Sequence, residues 1–279
     1  MWITGGDVRL YASELAVGRD PTLLVLHGYG DSHAAWRDTV AAIEPAHRTI
    51  ALDSRGHGES GWPPSGDYSL AAMADDVRRA VTMLGLERVV LAGHSTGGMT
   101  ALALAAAEPR MALALALLDV DPFVFKDGLE RLPAYTGCET AATLDELGGL
   151  DHAALGPDEH ARRLRRLRAL ARRDERGRWM WKQDPRLRPS RARQPLRPCD
   201  DATVRAMLAE LSCATLLLYG ERSAAVSRAA LEQSARLIAG RVTIRGVADA
   251  GHALLADAPL AIADALSKLL GSLATPAST

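Results

Sequence analysis

Ser95 lies in the segment Gly93-His94-Ser95-Thr96-Gly97-Gly98, whose residue types suggest a nucleophile. The largely apolar run 88–92 before it predicts a buried strand, and the helix-forming run 99–107 after it predicts a helix. A serine at such a turn, with small residues two positions away on either side, is typical of a nucleophile elbow. Glycines let the backbone turn where a Cβ would clash, and the helix N-terminus favours a developing negative charge. The motif therefore predicts a reactive serine.

Three other polar features also follow predicted strands. They are the segment 27–30 (His-Gly-Tyr-Gly), Asp119 and His252. Because ligands bind at the carboxyl ends of the strands in an open α/β sheet, we expect these residues to meet Ser95 at one edge. A serine hydroxyl needs a base within hydrogen-bond reach, and a free histidine has a pKa near neutrality. His252 is therefore the predicted base for Ser95.

The elements that must position these residues alternate along the first 120 residues. Such alternation predicts βαβ units and a parallel sheet. The expected fold class is α/β, a doubly wound and mostly parallel sheet with an inserted α-helical cap. The predicted strands are 8–15, 23–26, 49–52, 88–92, 113–118, 214–219 and 241–245, and the predicted helices of the core are 34–44, 69–84, 99–107, 228–238 and 259–270.

The middle of the chain shows a different pattern. Strand signals vanish after residue 121, and residues 139–147 and 158–173 read as helices. Prolines at 185, 189, 195 and 198 then predict a helix-poor strap. We therefore expect a core formed by residues 1–121 and 212–279, with a helical cap inserted at 122–211.

Composition excludes several classes of function. The 279 residues are 48% hydrophobic, enough for a sizeable core, and the net charge of −1 gives no overall attraction to nucleic acid or anionic membranes. Cys138, Cys199 and Cys213 are far apart in sequence and predict reduced thiols. No signal peptide or membrane span is predicted. We expect a cytoplasmic monomer or homodimer with no metal, organic cofactor, nucleic-acid partner or membrane partner.

Taken together, the motifs resemble those of the α/β-hydrolase superfamily, in the subgroup with a helical cap. The resemblance implies a serine hydrolase that cleaves an ester or lactone through an acyl-enzyme on Ser95. It also implies that backbone N–H groups of Tyr29 and Thr96 form the oxyanion hole, and that residues 53–60 are structural. The matching segments are H-G-Y-G-D-S at 27–32, D-S-R-G-H-G-E-S at 53–60, G-H-S-T-G-G at 93–98, L-D-V-D-P at 118–122 and D-A-G-H at 249–252.

The acidic member of the expected triad departs from the usual pattern. Similar proteins usually supply it after the strand predicted at 214–219, where this chain has Ser223 and Ala224 in place of an aspartate. Glu221 is the one carboxylate in that turn. Some superfamily members take the acid from the end of the preceding sheet strand, and Asp119 fits that location. We therefore predict Asp119 as the acid, with Asp121 and Glu221 as alternatives.

Substrate contacts are expected beneath the cap. Phe123 and Phe125 enter the cap from the catalytic edge, and Trp179 and Trp181 form its most apolar aromatic region, where they would line the pocket or fix the cap to the sheet. The fourteen arginines between residues 162 and 197 indicate either a solvated helix face or recognition of an anionic group.

Several activities are compatible with these residues. Besides an ester or lactone, the substrate could be a thioester, and an acyl-transferring cyclase would use an internal nucleophile in place of water. Carbon–carbon bond hydrolysis and cofactor-free peroxidation share the fold and the triad. A ligand-binding protein with a vestigial triad is the alternative from a different class.

Overall fold

The computed structural model describes residues 1–123, 138–149, 156–187 and 199–274. Within these ranges, eight strands form the main sheet in the order β1-β2-β4-β3-β5-β6-β10-β11. β1 and β2 pair antiparallel, as do β2 and β4, and the other neighbours are parallel. Their bounds are β1 Trp2–Ile3, β2 Leu10–Ala16, β3 Arg19–Leu26, β4 His47–Leu52, β5 Val89–His94, β6 Ala112–Leu118, β10 Ala214–Gly220 and β11 Val242–Val247. This is the predicted α/β class with a mostly parallel sheet.

The sheet is covered on both faces because its central strands are apolar at successive positions. In β3, Leu24 and Leu26 join one buried cluster, whereas Leu23 and Val25 join the other. Side chains along a strand alternate between faces, so a strand buried on both sides reads as a continuous apolar run. The two faces together form the main core.

Helices of the core mostly follow the predicted periodicity. Ser69 caps α2 (Leu70–Met83) by accepting a hydrogen bond from the Ala72 N–H at 3.3 Å. The helix expected at 34–44 is instead a 3-10 turn, His33–Trp36, followed by a short α-helix. The core helices are α1 Arg37–Ala41, α2 Leu70–Met83, α3 Thr96–Ala107, α7 Arg228–Ala235, α8 Leu254–Asp257 and α9 Pro259–Ala274.

The inserted segment contains helices, as expected, and also short strands that the sequence did not predict. Its helices are α4 Leu144–Gly148 and α5 Pro157–Leu170, and a three-stranded sheet in the order β7-β9-β8 accompanies them. These antiparallel strands are β7 Thr140–Ala141, β8 Ala171–Arg173 and β9 Trp179–Trp181. Strands of two or three residues are too short for an alternating pattern to be visible in sequence.

A further helix, α6 Asp201–Ala209, follows the proline-rich segment. Its buried Val204 and Leu208 belong to the same apolar cluster as Leu102 of α3. The chain thus packs against α3 through α6, which lies within the range 122–211 expected for the cap. No helix within the described ranges combines the length and hydropathy needed to cross a bilayer.

Candidate active site

Ser95 lies at the sharp turn between β5 and α3. Its backbone angles are φ 51° and ψ −119°, a conformation that residues with a Cβ rarely adopt. Its N–H donates to the Leu118 carbonyl at 3.0 Å, which ties the turn to β6. A Cβ added at Gly93 would lie 2.3 Å from the Gly97 oxygen, and one added at Gly97 would lie 2.4 Å from the His27 oxygen. The glycines are therefore required for the close approach of three backbone segments.

Asp119 and His252 meet at the carboxyl edge of the sheet. Asp119 follows β6 with φ 51° and is 2% exposed. Its Oδ2 accepts a hydrogen bond from His252 Nδ1 at 2.6 Å. The same oxygen accepts from Ser223 Oγ at 2.6 Å, and Oδ1 accepts from the Gly220 N–H at 2.9 Å. Three donors thus fix the buried carboxylate in the orientation that faces the imidazole.

His252 is also held through its backbone. His94 Nε2 donates to the His252 carbonyl at 2.7 Å, and the two ring centroids are 5.1 Å apart. Burial, together with the neighbouring His252, lowers the pKa of His94 to about 4. His94 is therefore neutral at pH 7, with its proton on the nitrogen that faces the carbonyl.

Ser95 and His252, the predicted nucleophile and base, both lie within the described ranges. Their Oγ and Nε2 atoms do not form a direct hydrogen bond. Because Nδ1 of a neutral His252 donates to Asp119, its Nε2 carries the lone pair that could receive a proton. Catalytic hydrogen bonds are often long in unliganded enzymes and shorten in the substrate complex.

The other two candidate acids have different surroundings. Asp121 is buried, and its Oδ1 accepts the Phe123 N–H at 3.0 Å. Glu221 is exposed, and its Oε1 would lie 2.7 Å from a Cβ added at Gly246 of β11. Asp119 is the predicted acid that the structure brings within hydrogen-bond distance of His252.

The loop after β3 passes directly beside the serine. A Cβ added at Gly28 would lie 2.7 Å from His94 Nδ1 and 3.3 Å from the Ser95 Cβ. Tyr29 follows this glycine, and Thr96 is the first residue of α3. The two residues predicted to supply oxyanion N–H groups thus belong to the backbone segments that flank Ser95.

Residues 53–60 brace this loop. Asp53 accepts hydrogen bonds from the backbone N–H groups of His33 at 2.6 Å and Glu59 at 2.8 Å. Burial would raise the pKa of Asp53, but the hydrogen bond from the His33 side chain and nearby histidine charge hold it below its usual value. His57 Nδ1 donates to the Arg55 carbonyl at 3.1 Å, and burial lowers the pKa of His57 to about 3. These are the contacts of a structural loop with a neutral histidine.

The end of the inserted segment is joined to the loop between β4 and α2 by hydrogen bonds that the sequence did not predict. Residues 182–187 lie along the loop between β4 and α2. Their hydrogen-bond partners in that loop are 116 to 126 positions away in sequence. No local pattern signals such pairs. They are Trp62 Nε1 to the Lys182 carbonyl at 2.9 Å, Gln183 Nε2 to His57 Nε2 at 3.3 Å and Tyr68 Oη to Asp184 Oδ2 at 2.5 Å.

The aromatic residues predicted to bind substrate have mixed surroundings. Trp179 and Trp181 pack against an apolar cluster within the inserted segment, which includes Leu147 and Leu167. Phe123 packs at the edge of the main core, with the Arg205 guanidinium 5.3 Å from its ring centroid. Phe125 lies outside the described residues. Substrate contact by these four side chains stays a prediction.

Comparison with known proteins identifies the family. The family model described as alpha/beta hydrolase fold matches residues 21–259. The chain belongs to this family. The match confirms the predicted superfamily, and it spans every segment on which the resemblance rests, from residue 27 to residue 252.

Relatives of this alpha/beta hydrolase carry several activities in their names. Fluoroacetate dehalogenase from a Burkholderia species is 35% identical over 134 residues, 46% of this chain and 43% of the dehalogenase. Mouse epoxide hydrolase 4 is 34% identical over 116 residues, 41% of this chain and 32% of the relative. The chain thus aligns with less than half the length of either protein.

Solved structures show the fold over nearly the whole chain. An esterase from Mycobacterium tuberculosis superposes with a TM-score of 0.78 at 24% identity, covering 97% of this chain and 90% of the esterase. An alpha/beta hydrolase from Novosphingobium aromaticivorans superposes with a TM-score of 0.74 at 26% identity, covering 97% of both chains.

Proposed function

We propose that the protein is a serine hydrolase that cleaves a carboxylic ester or lactone through an acyl-enzyme on Ser95. The observation that supports this most directly is the 2.6 Å hydrogen bond from His252 Nδ1 to the buried Asp119 carboxylate. It lies at the same sheet edge as the strained turn that carries Ser95. A base oriented by a carboxylate beside a serine at an elbow is the arrangement that activates a hydroxyl.

In the proposed reaction, Ser95 Oγ attacks the carbonyl carbon while His252 Nε2 takes the hydroxyl proton. The Asp119 carboxylate stabilises the imidazolium and keeps Nδ1 protonated. The backbone N–H groups of Tyr29 and Thr96 donate to the oxyanion of the tetrahedral intermediate. His252 then gives its proton to the leaving alkoxide, which departs as an alcohol. His252 then deprotonates a water molecule, which attacks the acyl-enzyme carbonyl. As the carboxylic acid leaves, His252 returns that proton to Ser95 Oγ and restores the resting enzyme.

The nature of the nucleophile favours acyl chemistry over the reactions in the names of the first relatives. If Ser95 displaced a halide or opened an epoxide, its oxygen would form an ether with the substrate carbon. Water does not readily cleave an ether, so the enzyme would be trapped after one turnover. Attack on a carbonyl instead leaves an ester, which the same base can hydrolyse.

The test is covalent labelling combined with an ester panel. A fluorophosphonate probe should label the wild-type protein and the Ser272→Ala variant, in which an exposed serine of α9 is removed. The Ser95→Ala variant should not be labelled and should lose turnover of esters of varied acyl length. Absence of labelling in the folded wild-type protein, or labelling that survives Ser95→Ala, would contradict the proposal.

A further inference from the structure

Ser223 occupies the turn after β10, where similar proteins usually place the acid of the triad. It is half-buried, and its hydroxyl contacts the Asp119 carboxylate that comes from β6. Oγ lies 2.6 Å from Asp119 Oδ2, the same oxygen that accepts the hydrogen bond from His252. The turn thus contributes a donor to the carboxylate in place of a carboxylate of its own.

The direction of this hydrogen bond is fixed by its neighbours. Ser223 Oγ accepts the Ala225 N–H at 3.2 Å, so one of its lone pairs is engaged. Its single proton then points to the acceptor at 2.6 Å, Asp119 Oδ2. Oδ2 therefore shares its negative charge between the hydroxyl of Ser223 and the imidazole of His252.

We propose that Ser223 is a positioning residue, which holds the Asp119 carboxylate against His252 and weakens its pull on the imidazole proton. This inference rests on the proposed function, since it concerns two residues of the proposed triad, Asp119 and His252. A hydrogen bond to a carboxylate disperses the negative charge of the carboxylate. A carboxylate whose charge is dispersed stabilises a neighbouring imidazolium less. Loss of the hydroxyl should therefore make the protonated form of His252 more stable.

A substitution at position 223 removes none of the other titratable or charged groups near His252. The neutral His94 ring faces His252 from the elbow. On the loop of His252 itself, Asp249 pairs with Arg222, and Asp257 accepts the Gly251 N–H at 2.9 Å. Any shift in the titration of His252 on removal of the Ser223 hydroxyl is thus assigned to the contact with Asp119.

Ser223→Ala is the variant that tests this, with Ser223→Thr as the conservative variant that keeps a hydroxyl. In Ser223→Ala, we expect the acidic limb of the pH–rate profile to move up by about half to one pH unit. kcat should fall about tenfold, the scale of one lost charge-assisted hydrogen bond. Ser223→Thr should restore both values. The matched control is Ser227→Ala, which removes the side-chain hydroxyl that caps the N-terminus of α7 in the same turn. This variant should leave the acidic limb of the pH–rate profile unchanged.

A second readout does not depend on turnover. The imidazole titration of His252 can be followed by NMR, with the signal assigned by comparison with His252→Gln. The pH at its midpoint should be higher in Ser223→Ala than in the wild-type protein and unchanged in Ser227→Ala. An unchanged midpoint in folded Ser223→Ala, or equal shifts in both variants, would overturn the inference. If the wild-type protein cleaves no ester while the Ser223→Ala midpoint still moves, the proposed function fails and the positioning role stands.

Discussion

Replacing Asp119 by asparagine keeps the shape of the side chain and reverses the hydrogen-bonding character of one of its two ends. The carboxylate accepts His252 Nδ1 and Ser223 Oγ at Oδ2, and the Gly220 N–H at Oδ1. With the amide nitrogen at the Oδ2 position, a donor would face the Nδ1–H of His252. With the amide nitrogen at the Oδ1 position, a donor would face the N–H of Gly220, which is also a donor. Neither orientation reproduces the wild-type contacts.

The first orientation drives His252 into the other tautomer, with its proton on Nε2, where it cannot accept the proton of Ser95. The second keeps the tautomer but leaves a neutral amide beside the imidazolium. We therefore expect Asp119→Asn to lower kcat by about ten-thousandfold, which corresponds to about 5.4 kcal/mol of transition-state stabilisation. In the second orientation, the buried contact between the amide nitrogen and the Gly220 N–H should also cost ~1–3 kcal/mol of stability.

The assay is kcat and KM on the best ester of the panel, with urea unfolding to show that the variant is folded. The matched control is Glu221→Gln, which neutralises an exposed carboxylate in the neighbouring turn and should behave as wild type. Folded Asp119→Asn with a rate within tenfold of wild type would refute the reasoning. Loss of activity in Asp121→Asn, together with that result, would transfer the role to Asp121.

Three further predictions concern stability. Gly97→Ala should destabilise the fold by ~1–3 kcal/mol, because the added Cβ would lie 2.4 Å from a backbone oxygen. The control Gly271→Ala has open space around its Cβ and should be neutral or stabilising. Equal midpoints of urea unfolding for the two variants would contradict this prediction. Tyr68→Phe should lower the free energy of unfolding by ~1–2 kcal/mol, because it removes the hydroxyl that donates to Asp184. Limited proteolysis should then cut the inserted segment faster. An unaltered cleavage rate would argue against a fastening role for this hydrogen bond. Because burial lowers the pKa of His57 to about 3, the unfolded chain binds a proton at this residue that the folded chain does not between about pH 6.5 and pH 3. Stability should therefore fall with acidification in that window by about 1.4 kcal/mol per pH unit for this residue, and His57→Gln should remove that contribution to the slope of unfolding free energy against pH.

The main sheet could be predicted because its strands carry their own signal. Runs such as Leu23 to Leu26 are apolar at every position, since both faces of the sheet are covered. Strand ends differ from the predictions by a few residues, as in β11, which runs to Val247 rather than residue 245. The positions of Ser95, Asp119 and His252 at one edge follow from the rule that parallel strands present their carboxyl ends together.

The segment between β6 and β10 could not be predicted to the same depth, since its contacts link distant parts of the sequence. The strands β7, β8 and β9 are short, and each is defined by its partner rather than by its own residues. The hydrogen bond between Tyr68 and Asp184 joins positions 116 residues apart. A similar limit applies to Ser223: its sequence position showed that an aspartate was missing, but only the fold reveals the hydroxyl beside Asp119.

The fastening of residues 182–187 has a consequence for protein engineering. Because the hydrogen bonds to Trp62, His57 and Tyr68 all lie in this short stretch, chimeras can be spliced upstream of Lys182 without severing them. A foreign sequence grafted in place of residues 138–181 would join residues 182–187 of the parent chain, which keep their hydrogen bonds to the loop between β4 and α2. Directed evolution can thus exchange this segment as a module, provided that the graft also supplies a partner for Asp31 of the loop after β3, which pairs with Arg166 at 2.9 Å.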